Sequence, residues 1–251
     1  MYDEPSVPEI QIDKLQEFLE DTVQIKTENR KNIQKNSSID YAEKLATCRV
    51  LNPYKPFFIH NPTKEEINFE RKNFEDTNAT KNIVMYDGFE LQKVFSQMIP
   101  ESESNSDIFH IIFTNKLVCT FDTNDYRYHG RAVIASNPSI ISTTGIIEAP
   151  AKPKQYYFEL ISNIQRGLNL EAIKQKYKGQ YLEYHDKLLS KVVRGYVFQA
   201  LFYYCTGEPF CDDINCMLFN AHWQKDLLHS QVENGRLCDK HHIVLKKIIE
   251  D

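Results

Sequence analysis

Apolar side chains recur at helical spacing at Ile12, Leu15, Phe18, Leu19 and Val23, so residues 12–23 read as an amphipathic helix. The stretch before it, YDEPSVPE, reads as a turn that follows a strand, which places a first strand upstream of it. Residues 24–80 hold no sustained period. Lys, Asn, Glu and Gln are dense there, and Pro53, Pro56 and Pro62 push the residues before them out of the helical region. The expectation is a long insertion over 24–80 that runs across the surface and is partly mobile. Cys48 and His60 each stand alone in it and read as packing or solvent-facing residues.

From Asn82 the pattern turns regular. NIVMYD reads as a strand, and Phe89, Leu91, Val94, Phe95 and Met98 mark a helix between Gly88 and Pro100. DIFHIIFTN is nearly all apolar, as a strand covered on both faces would be. KLVCTFD follows closely enough to pair with it, RAVIAS and SIIST add one or two short strands, and residues 145–154 lead away from the sheet. YYFELISNI and LEAIKQKY read as short helices parted by Gly167. Residues 186–204 read as the longest helix: Leu188, Leu189, Val192, Val193, Tyr196, Val197, Ala200, Leu201 and Tyr204 share one broad stripe, and Gly207 supplies a left-handed stop. The order of helix, mixed sheet, long helix and final helices predicts an α+β fold in one domain over 1–251, without internal repeats.

Composition narrows the function classes. A hydrophobic share of 41% supports a full core, and a net charge of −5 with interspersed signs lacks the basic excess of a nucleic-acid footprint. No apolar run reaches the length of a membrane span. The start MYDEPSVPEIQ lacks a basic stretch followed by an apolar one, so the cytoplasm is the expected compartment, where clustered cysteines favour metal over disulfide. Asn36-Ser-Ser and Asn78-Ala-Thr match the glycosylation acceptor pattern and read as chance matches in that compartment.

The candidate chemistry sits in residues 211–242, which hold three of six cysteines, four of eight histidines and the only tryptophan. Cys211 and Cys216 enclose four residues, and Cys238 and His241 enclose two. Two short chelating pairs joined by a helix-length spacer are what one tetrahedral Zn²⁺ site needs. His242 is the alternative fourth ligand. The competing reading is four ordinary small buried residues. In the zinc reading, 205–251 forms a stapled C-terminal subregion.

The segment ALFYYCTGEPFCDDINCMLF resembles the active-site helix of the archaemetzincins, zinc peptidases with the pattern HExxHxxGxxHC followed by a second Cys. Gly207, Cys211 and Cys216 set the register. The phrases YDGFELQK, FTNKLVCTFDTNDYRYH, SIIST, EAPAKP, TGEPFC and LFNAHWQ are also similar to those of a family of archaeal proteins classed as metallopeptidases. The resemblance implies a metzincin-like, α/β-like three-layer fold with a mixed twisted sheet and a long central helix. It also implies that Cys211, Cys216, Cys238 and His241 form that family's structural zinc site. In this register the two helical histidines, the catalytic glutamate and the third histidine fall on Ala200, Tyr204, Leu201 and Phe210. None can hold zinc or take a proton from zinc-bound water.

Two functions follow as expectations. One is a non-catalytic module that binds a protein or small ligand. The other is a divergent metal-dependent hydrolase whose site is rebuilt from His129, Glu208 and His222, with Tyr128 beside them. Each of these residues also has an ordinary reading, in a solvated hairpin, a turn or a helix start. His110, within DIFHIIF, reads as a satisfied core histidine.

Overall fold

The computed structural model describes residues 1–36, 41–76, 79 and 84–250. Asn78 and Thr80 of the Asn78-Ala-Thr sequon, the last two residues of Asn36-Ser-Ser and the start of NIVMYD lie outside the described residues.

Helix α1 spans Ile12–Val23 and buries Leu15, Leu19 and Val23, the predicted stripe. The region read as a surface excursion instead contributes core. Helix α2 (Tyr41–Thr47) buries Leu45 and Ala46 completely, and Cys48 follows it at 1% exposure. Helix α3 (Lys64–Glu75) starts on a capping box between Thr63 and Glu66. It carries Glu70, fully buried and bonded to Arg49 and the Tyr86 hydroxyl. Four apolar residues in a seven-residue helix give too little period to read from sequence, which is why α2 was missed.

Strand β1 (Met85–Asp87) leads into helix α4 (Gly88–Ser96), capped by the Asp87 carboxylate on the Phe89 and Glu90 amides. Strands β2 (Ile111–Thr114), β3 (Leu117–Asp122), β4 (Arg127–Gly130), β5 (Val133–Ile134) and β6 (Ser139–Ser142) follow. They form two ladders, β1-β3-β4 and β2-β6-β5. β2 and β3 are therefore not partners, against the expectation from their closeness in sequence. β2 runs parallel to β6 and β3 parallel to β1, pairings that need long connections. The β4–β5 segment joins the ladders. The Arg131 amide donates to Val118 O at 2.8 Å, and Ser142 donates to Ala132 O at 2.8 Å. Adjacent residues of an extended chain point to opposite edges, so one segment reaches both sheets. On the far edge of β2, Tyr2, the first residue of the stretch read as a turn, bridges Ile112 and Arg30 in parallel.

Alternation then sets three layers. Ile111, Phe113 and Ile141 face a core with α1, while Ile112 and Ile140 face one with α2 and α4. After β6, residues 143–148 form helix α5 (Thr143–Glu148) instead of only leading away. Helices α6 (Lys154–Gln165) and α7 (Glu171–Lys176) flank Gly167, as expected, and pack around Tyr156, Ile173, Tyr177 and Tyr181. Helix α8 (Leu189–Thr206) lies in the first core. Eleven of its eighteen residues are buried, so it is enclosed on nearly all sides. Each such Val, Leu or Phe contributes about 1.5–3 kcal/mol on burial. Gly207 ends α8 at φ 78°, its amide on Tyr203 O. Helix α9 (Gln224–Leu228) runs into a wider turn over His229–Asn234, and helix α10 (Asp239–Glu250) closes the chain. Among the described residues no helix is long and apolar enough to cross a membrane.

Candidate metal centre and cleft

The metal centre is built by three backbone devices. The Cys211 amide bonds Leu218 O, and Cys216 N–H bonds Asp213 O, so the intervening residues fold back and bring both thiols together. The Met217 amide bonds Arg236 O, which draws the Cys238 strand alongside. Cys238 immediately precedes α10, whose N-terminal dipole favours a thiolate there. His241, one turn into α10, is 4% exposed and turns its ring edge-on to Phe202 of α8.

The Cys211 and Cys238 sulfurs lie 3.9 Å apart, and His241 Nδ1 lies 3.1 Å from Cys238 Sγ and 3.8 Å from Cys216 Sγ. All four ligand atoms fall within 4.8 Å of one another. A tetrahedron with metal–sulfur bonds of about 2.3 Å and metal–nitrogen bonds of about 2.0 Å has edges of about 3.8 and about 3.5 Å, and the separations of 3.9, 3.8 and 3.1 Å lie within about 0.5 Å of these. The sulfurs also receive backbone donors, Asp213 N–H at 3.4 Å and Cys238 N–H at 3.5 Å. Burial pushes the Cys216 thiol up to about 12 and raises Cys211, and lowers His241. A divalent cation among them reverses the thiol penalty. The donor set therefore fits a metal, with His241 and not His242. His242 is exposed and lies outside the group.

A cleft of about 470 Å³ opens on another flank of α8. Residues 130–135 form one wall, Tyr196, Gln199 and Tyr203 of α8 form the other, and Pro209, Phe210 and Asn220 to His222 close one side. The helix positions read from the resemblance do not line it, except Phe210. Ala200 and Leu201 are buried in the core, and Tyr204 stacks on Phe109 at 4.5 Å. The cleft-facing residues of α8 sit one position earlier.

The four residues expected to meet in the cleft do not. Tyr128 is buried and donates to Asp87 Oδ2 at 2.8 Å. His129 pairs with Asp125 at 2.9 Å, and with Asp122 these make the other cluster of three potential ligands found among the described residues. Neither Glu208, exposed after α8, nor His222, on the cleft rim, joins that cluster. His110 is a satisfied core residue, as expected, its Nε2 donating to Glu103 O at 3.1 Å.

The sequence matches one family over residues 1–248. The chain belongs to the probable metallopeptidase family DUF6775. No curated protein and no solved structure matches it. In this member of the metallopeptidase family, sequence reasoning missed Arg131 and Gln199. Gln199 carried a signal, as a lone amide within an apolar helical stripe. Arg131, in a short strand, carried none.

Proposed function

We propose that the chain is a zinc-stapled, non-catalytic member of its family: an archaemetzincin-like scaffold whose cleft binds an extended peptide segment. The observation that carries this reading is the lining of the cleft. Helix α8 contributes Tyr196, Gln199 and Tyr203 to that lining, none of them an imidazole or a carboxylate that could hold zinc or take a proton from zinc-bound water. A volume of about 470 Å³ lies in the range of ligand sites. The family's peptidase label supports a peptide as the ligand.

The zinc serves as a staple. Three thiolates and one imidazole leave a net charge of about −1 and no open position. Cys211, Cys216, Cys238 and His241 would hold it, tying α10 to the loop after α8. Binding energy at such a site is folding energy.

The second reading, a rebuilt hydrolase, draws on Asp122, Asp125 and His129, because a second metal could sit there. Against it, Arg127 already pairs with Asp125 at 2.7 Å. Elemental analysis of the purified full chain, with an assay of unfolded protein cleavage, separates the two. One zinc per chain and no cleavage support the scaffold. Cleavage that His129→Ala or His222→Ala abolishes, with zinc at the cysteines retained, would replace it with the hydrolase.

A further inference from the structure

We propose that Arg131 makes the cleft a receptor for a carboxylate carried by an extended peptide. This rests on the peptide-binding reading above and names the chemistry that the cleft selects.

The charge pattern comes first. In a chain with 35 acidic residues, no Asp or Glu lines the cleft. Arg131 is its only permanent charge, with His222 on the rim. Three other arginines are held in ion pairs: Arg30 by Glu28 and Glu103, Arg49 by Glu66 and Glu70, and Arg127 by Asp125. Arg131 has no ion pair among the described residues. Its side chain makes one hydrogen bond, Nε to Thr120 Oγ1 at 2.7 Å, and Thr120 also lines the cleft. That bond fixes the guanidinium plane and leaves both terminal nitrogens with their donors. A planar fork with two parallel donors matches a carboxylate.

A second observation comes from the opposite wall. Gln199 is 1% exposed and lines the cleft, and its Nε2 donates to Phe219 O at 3.3 Å. Its Oε1 is buried without a partner. An orphaned buried acceptor is costly, and a ligand N–H relieves it. One wall thus offers donors for a carboxylate and the other an acceptor for an amide. Both groups occur together on a peptide. The exposed rings of Tyr203 and Phe210, also in the lining, give apolar side chains a landing surface.

The carboxylate can come from a chain terminus or an acidic side chain. Fluorescence polarisation with the metal-loaded full chain separates them. The probes are labelled hexapeptides of alternating serine and valine: one with a free C-terminus, one amidated, and one amidated with a central glutamate. We expect at least one carboxylate peptide to bind about tenfold tighter than the neutral one, as a charge-assisted pair gives. Whichever of the two binds tighter names the source. Arg131→Gln should bring the peptides within about twofold of one another, with zinc content and circular dichroism unchanged. Thr120→Val, which frees the guanidinium without removing it, should reduce the preference in part. If all three peptides bind alike, or Arg131→Gln keeps the preference, the carboxylate inference is overturned and peptide binding stands. If none binds to the folded, metal-loaded chain, both readings fall.

Discussion

Helix α8 separates two regions of opposite character. On one flank, Phe202 packs against His241, and four metal-capable side chains converge within 4.8 Å. On the other, Tyr196, Gln199 and Tyr203 line a cleft with no imidazole or carboxylate from the helix. The first region gathers donors that could hold a metal ion, and the second is a cavity of about 470 Å³. The metal-capable donors and the cavity thus lie on different flanks of one helix, which teaches that the two can be tested separately.

The sharpest way to break that comparison is to remove the metal corner alone. Cys216→Ser leaves one buried ligand short and removes most of the staple. We expect destabilisation of roughly 4 kcal/mol, a fraction of the about 10–16 kcal/mol available to a structural site. At about 2–4 °C per kcal/mol, the melting temperature should fall by roughly 8–16 °C. Hydrogen exchange should rise in α9 and α10 first, and a strong chelator should reproduce the effect in the unmutated chain. Equal melting temperatures with and without chelator would remove the staple from the argument.

The converse experiment loads the cleft wall and spares the metal. A Cβ at Gly145 would collide with the Arg131 carbonyl oxygen, a backbone atom with no room to yield. Gly145→Ala should therefore cost roughly 3 kcal/mol, the upper end for overpacking. Zinc content should stay at one per chain. Loss of the metal in this variant would show that the two flanks of α8 are not independent.

These two regions were not equally legible in the sequence. The metal corner was, because each ligand pair is local: four residues between Cys211 and Cys216 and two between Cys238 and His241 let single turns aim both donors. The sequence left His241 and His242 as alternatives, and only His241 lies in the cluster. α1 and α8 were also readable, since a long apolar stripe has few alternatives. The cleft was not, because Arg131, Ala149, Gln199 and Phe210 meet only through tertiary packing. Aligning α8 on Gly207 placed the cleft face one residue late, which on a helix is a rotation of about 100°. The β2–β3 pairing failed for a similar reason. Nearness in sequence favours hairpins, and the parallel pairings that won are non-local. The buried face of α2 shows that polar composition averaged over 24–80 hid four residues of core in that helix alone.

A smaller effect tests a buried group in neither region. Burial holds the His110 imidazole below its ordinary value of 6.5, with Glu103 opposing and Arg30 adding to the shift. The unfolded chain then takes up a proton near 6.5 that the folded one resists. This contribution is present above 6.5 and is lost as pH falls from there through the folded value. Between about pH 7.5 and about pH 5.5, the melting temperature of the unmutated chain should drop more than that of His110→Gln. Parallel curves would remove His110 as a source of acid sensitivity.

The smallest effect bears on the joint between the two flanks. Gly207 holds φ 78° at the end of α8, and a Cβ there would meet nothing within 4 Å. Unlike Gly145, it is constrained by backbone conformation alone, so Gly207→Ala should cost about 1 kcal/mol. That is a fall of roughly 2–4 °C in melting temperature. The five residues from Gly207 to Cys211 are where the chain leaves the helix and enters the metal loop. If the left-handed turn only ends the helix, zinc affinity in a competition titration should be unchanged. A large drop in affinity would mean that the turn aims Cys211 at its partners. The helix and the metal corner would then be one folding unit, and the separation across α8 would fail at this residue first.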